Sequence, residues 1–202
     1  MSAQPERQST GALRAPEGEQ LAEVTEGFIA AFRRHPAGVA IITADPGDGP
    51  VALTVSSLIS VGVAPPTIAF SLSEQSSSAR ALARAETIVV HFARRRDMEL
   101  ARLCATSGSD RFGDSVRWER LASGEPFYPD VELRFRAVIR GRLPAPGASV
   151  VTAELLSVSP GPHAASLDET LAYADRAWHG LRPLVDAPRA PMLFWPDDSA
   201  TF

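Results

Sequence analysis

The feature that most constrains this chain is a succession of short β-branched runs, each closed off by turn residues. Val39–Thr43, Val51–Val61, Thr67–Leu72, Thr87–Phe92, Val131–Ile139 and Val150–Leu156 are rich in Val, Ile, Thr and Phe. Between them lie Asp45–Pro50, Pro65–Pro66, Ser123–Pro129 and Pro144–Gly147, all built from residues that turn a chain. Many short strands separated by turns favour a closed or nearly closed antiparallel barrel. The predicted fold is therefore mainly β, with a few flanking helices.

Three helices are expected among the strands. Leu21, Val24, Phe28, Ile29 and Phe32 recur at helical spacing, and Pro36 stops that helix. Ser76–Arg84 reads as a helix with serine at its N-cap. Asp97 is placed to cap a third, Met98–Ala105, with Leu100, Leu103 and Cys104 on one side. Residues 131–137 alternate, with Glu132, Arg134 and Arg136 on a face expected to be solvated. Met1–Glu19 reads as a disordered tail, 20–183 as the folded domain and 184–202 as a Pro-rich extension.

The chain has 202 residues and a net charge of −4, which gives no bulk electrostatic case for nucleic acid or an anionic membrane. No apolar run approaches the ~20 residues of a membrane helix, and the N-terminus lacks the apolar core of a signal peptide. All 20 basic residues are Arg, so any anion must be held by Arg, hydroxyls or backbone N–H groups, and lysine chemistry is excluded. Cys104 is the only cysteine, which fits a reducing, cytoplasmic setting without an internal disulfide. No metal-ligand spacing, nucleophile motif or dinucleotide fingerprint is present.

Two stretches invite a ligand. Val51–Val61 carries Thr54, Ser56, Ser57 and Ser60 inside an apolar run. Such hydroxyls either bond to neighbouring strands or line a site for a planar polar molecule. Ser76-Ser77-Ser78, with Arg80, lies at a predicted helix start, where free N–H groups favour an anion. One serine acting only as an N-cap is the alternative. His35 reads as a solvated turn residue, and His91 as a strand histidine satisfied by hydrogen bonds.

These motifs, in this order, resemble the flavin reductase-like family. The resemblance is carried by Phe32 to Thr43, by Thr54-Val55-Ser56-Ser57-Leu58 through Pro65-Pro66, by Ser76 and Ser78, by Asp110-Arg111-Phe112, and by Leu171 to Leu181. It implies an antiparallel Greek-key split β-barrel, a homodimer with FMN near the subunit seam (FAD being the variant flavin), and hydride transfer from NADH or NADPH. Reduced flavin would pass to a partner monooxygenase. On this resemblance Thr54, Val55, Ser56, Ser57 and Ser60 fall to the flavin ring and ribityl chain. Ser76, Ser78 and Arg80 fall to the phosphate. Phe112, Arg176 and Trp178 fall to the flavin edge or nicotinamide side. Two positions depart from the pattern: Ser56 stands where many relatives have Asn, and Pro146-Gly147-Ala148 stands where many have Gly-Asp-His. An FMN-binding electron carrier of the same fold and a pyridoxamine-phosphate-type oxidase are the other readings.

Overall fold

A computed structural model describes residues 15–160 and 169–182. The predicted disordered tail lies outside the described residues up to position 14, and the 184–202 extension lies wholly outside them. The chain divides into two units, residues 1–35 and 36–202. In the first, α1 spans Gly18–Arg34. Its apolar side chains Leu21, Val24, Phe28, Ile29 and Phe32 share a face, as their spacing predicts, and all are exposed.

The second unit runs β1 (Ala37–Gly38), β2 (Ala40–Ala44), β3 (Val51–Val55), β4 (Ile59–Val63), β5 (Pro66–Ser73), α2 (Ser77–Leu82) and β6 (Thr87–Phe92). A 3₁₀ turn at Arg95–Asp97 and α3 (Met98–Ala105) follow. The chain continues through β7 (Glu119–Arg120), β8 (Pro126–Phe127), β9 (Leu133–Ala145), β10 (Ala148–Pro160), β11 (Thr170–Ala174) and β12 (Ala177–Leu181).

Seven strands form one antiparallel sheet in the order β3-β2-β6-β9-β10-β5-β4. The expected single run Val51–Val61 is two strands, and they occupy opposite edges of that sheet. Laid flat, edges six strand spacings apart would be separated by about 29 Å. The link from Val55 to Ile59 is four Cα steps, at most about 14 Å. The sheet must therefore curl until its edges approach. Ser57 marks the approach directly: its Oγ accepts from the Ser71 N–H of β5 at 2.9 Å. The sheet remains unclosed between β3 and β4, and the hydroxyl-rich break Ser56-Ser57-Leu58 lies at this opening.

The interior is filled by Ile42, Leu53, Phe70, Leu82, Ile88, Val90 and Val151. A second apolar cluster, with Val39, Ile41, Ala52, Ala101, Cys104, Tyr128 and Leu171, packs α3 and the loops against the outer side of β2 and β3. Both faces of β2 are thus buried, which is why Val39–Ile42 is apolar at every position rather than alternating, and why the Thr43 hydroxyl that follows is bonded to the Pro126 carbonyl. A three-stranded sheet, β1-β11-β12, joins this cluster through the Val39 N–H to the Leu171 carbonyl, 3.0 Å.

Two further expectations are corrected. Asp97 makes no side-chain cap to α3; its carboxylate accepts from the Arg94 N–H at 2.8 Å, closing the preceding 3₁₀ turn. The charged face of residues 131–137 is not left to solvent. Glu132 is 1% exposed and receives Arg96 at 2.6 Å. Arg136 pairs with buried Glu125 at 2.8 Å, and the Arg134 guanidinium lies 4.7 Å above the Phe127 ring. Loop segments cover this face, so the charges find partners instead of water.

Candidate functional site at the barrel opening

A cavity of about 520 Å³ lies at the opening. Three parts of the fold build it. Leu53–Ser57, from the end of β3, form one wall, and Ser71 and Ser73 of β5 form another. Gln75–Ala79 at the start of α2, Cys104 and Ala105 at the end of α3, and Ser107 and Arg111 from the loop that follows complete it. Hydroxyls and small side chains dominate. The described lining holds one permanent cation, Arg111, and no carboxylate. Such a surface suits a planar polar ligand with an anionic end, because nothing in it repels the anion.

Arg111 is held firmly. Its Nη1 donates to Ser78 Oγ at 2.5 Å and its Nη2 to the Thr106 carbonyl at 2.6 Å, while its Nε is buried without a partner. Ser78 is 7% exposed. Ser76 Oγ accepts from the Ala79 N–H at 3.2 Å, so that hydroxyl is the α2 cap. The Thr54 hydroxyl is likewise committed, donating to the Ala101 carbonyl at 2.6 Å and tying β3 to α3. Cys104, against the cavity, is pushed up to about 11 by burial and remains a thiol at neutral pH.

Residues 32–182 match the flavin reductase like domain. The chain belongs to that family. An NADH:FMN oxidoreductase from Rhodococcus qingshengii is 44% identical over 99 residues, 49% of this chain. The match spans about half, 52%, of that relative's length. FMN reductase (NADH) RutF 1 from Methylorubrum extorquens is 30% identical over 81% of this chain and 77% of its own. Among solved structures, a flavin reductase domain protein from Arthrobacter superposes with a TM-score of 0.72 at 32% identity, over 79% of this chain and 97% of that one.

The flavin reductase-like motifs do not all converge on the cavity. Thr54, Val55, Ser56, Ser57, Ser76 and Ser78 line it. Ser60 does not; it is exposed on edge strand β4, paired with Ile68. Arg80 is not among the lining residues either, and its Nη1 folds back to the Glu74 carbonyl at 2.8 Å. Phe112 stacks on Tyr128, with centroids 5.6 Å apart, and meets Trp118 edge-on. Arg176 occupies the β11–β12 turn at φ +60°, and Trp178 packs edge-on against Tyr173.

Arg111 is the residue that sequence reasoning left out of the site, although it stands inside the Asp-Arg-Phe motif. Arg80 is nearer the serines in sequence, but only the loop after α3 brings an arginine back to Ser78, 33 positions away. Ser71, Ser73 and Ser107 also line the cavity. For the β5 pair, alternation was available as a clue: Ser71 and Ser73 point away from the Phe70 and Leu72 face.

Proposed function

We propose that this chain is a flavin reductase that takes FMN in the cavity at the barrel opening and oxidises NADH or NADPH. One observation carries the reading: among the described residues the cavity lining is rich in hydroxyls and holds one arginine and no carboxylate, and Thr54–Ser57, Ser76, Ser78 and Arg111 from three of the family's motifs are part of it. Arg111 and Ser78 would hold the terminal phosphate through charge-assisted hydrogen bonds. Val55, Ser56 and Ser57 would line the ring and ribityl chain, where small side chains let a flat ligand lie close to the backbone. When bound, FMN supplies the hydride-accepting chemistry, and the protein supplies position and electrostatics. Cys104 stays protonated at neutral pH, so it does not act as a general base there.

The reading includes a homodimer. The outward face of the sheet presents Ile59, Leu143 and Val150, all exposed, among Ser71, Thr152 and Gly141. An uncharged, partly apolar strip beside the cavity supports a seam there. It also includes a cytoplasmic setting, to which the single buried thiol is suited, and delivery of reduced flavin to a monooxygenase. Among the described residues no helix is long and apolar enough to cross a membrane.

The experiment is a nicotinamide oxidation assay with NADH and NADPH against FMN, FAD and riboflavin. Consumption above the uncatalysed rate with FMN is expected. Tight FMN binding without consumption of either nicotinamide would replace the reductase with an electron carrier.

A further inference from the structure

A continuous hydrogen-bonded column runs from the sheet to Arg111. It begins at buried His91 on β6, whose Nδ1–H donates to the Ile41 carbonyl at 3.1 Å. The other ring nitrogen, Nε2, accepts from the Tyr128 N–H at 3.0 Å. That arrangement fixes both the tautomer and the backbone of Tyr128. Tyr128 is fully buried and is not among the residues lining the cavity. Its hydroxyl donates to the Arg111 carbonyl at 3.0 Å. A phenol has one proton to give, so at the 3.5 Å contact with Cys104 the thiol is the donor. Its ring lies nearly parallel to Phe112, with an interplanar angle of 13°. Tyr128 thus grips two consecutive residues of the loop, one by the backbone and one by the ring.

The loop needs that grip. Arg111 and Phe112 belong to a stretch without regular secondary structure between α3 and β7. No sheet ladder fixes the Arg111 backbone. The guanidinium must nevertheless arrive at Ser78 within hydrogen-bonding distance. We infer that Tyr128 is a positioning residue for Arg111: through the Arg111 carbonyl and the Phe112 ring it sets the arginine at the anionic end of the cavity, and so sets the affinity for a phosphorylated flavin over an unphosphorylated one.

This inference rests on the reading of the cavity as a flavin site. Its test compares FMN with riboflavin, which lacks the phosphate, by fluorescence titration of the flavin-free protein. Arg111→Ala weakens FMN by about tenfold to a hundredfold, the loss of hydrogen bonds to a charged group, and leaves riboflavin within twofold. Tyr128→Phe keeps the ring and the stack and removes only the hydroxyl. It weakens FMN about fivefold, again sparing riboflavin. In an Arg111→Ala background, Tyr128→Phe has no further effect on FMN, because it acts through the arginine.

Three results overturn the inference: equal losses for both flavins, no loss for either, or additive losses in the double variant. If Tyr128→Phe does not fold, Phe112→Leu removes the stack while keeping the hydroxyl, and the same FMN-selective loss is expected. If Arg111→Ala itself fails to separate the two flavins, the phosphate assignment falls with it. If Arg111→Ala separates them and Tyr128→Phe does not, only the positioning role falls.

Discussion

Stability at mildly acid pH should report on His91. The imidazole is wholly buried, and its pKa is lowered from 6.5 to about 4. Burial is the main cause. The Arg134 charge lowers it further, while the bond to the Ile41 carbonyl acts in the opposite sense. The unfolded chain binds a proton near pH 6.5, and the folded chain does so only near pH 4. The contribution is therefore intact above pH 6.5 and is lost as pH falls from 6.5 towards 4. Taking ~1.4 kcal/mol per pH unit, the whole window is worth about 3 kcal/mol, most of it lost by pH 4.5. The perturbation is His91→Gln, which cannot titrate. Urea unfolding of the flavin-free protein at pH 7.5 and pH 4.5 gives the free energy for each form. The wild type should lose about 2 to 3 kcal/mol more than the variant over that interval, and carboxylates common to both cancel in the comparison. Parallel losses would refute the argument and mean that the imidazole takes its proton inside the fold without opposition.

Arg80→Ala should leave FMN affinity within about twofold, since Arg80 reaches the Glu74 carbonyl, whereas Arg111→Ala should not; paired FMN titrations compare the two. Arg96→Ala strands the buried Glu132 carboxylate and should cost about 3–5 kcal/mol in chemical denaturation, against at most about 1 kcal/mol for Arg117→Ala, whose ion pairs are exposed. Leu143→Glu combined with Val150→Glu places like charges on paired positions of the outer sheet face and should shift sedimentation equilibrium from two chains to one. A wild type that sediments as a single chain at micromolar concentration would remove the seam from the proposal.

Local chemistry was legible wherever one residue's neighbours in sequence decide its state. Helical spacing placed α1, serine placed the α2 cap, and β-branched runs placed β2, β5 and β6 within a residue or two. His91 was read as a satisfied strand histidine, and its two ring bonds bear that out. The same local logic failed at Val51–Val61. Composition there is continuous, and only the curl of the sheet sends its two halves to opposite edges. It failed again at Glu132, Arg134 and Arg136, where alternation identifies the polar face but cannot say what covers it. Arg111 shows the limit most clearly. Its residue type and motif were in view, but its partner Ser78 lies 33 positions away and its support, Tyr128, another 17 in the other direction. Sequence determined which groups this protein owns and which short segments they ride on. Tertiary structure alone decided which arginine meets the serines, because that choice is made by distance across a folded sheet.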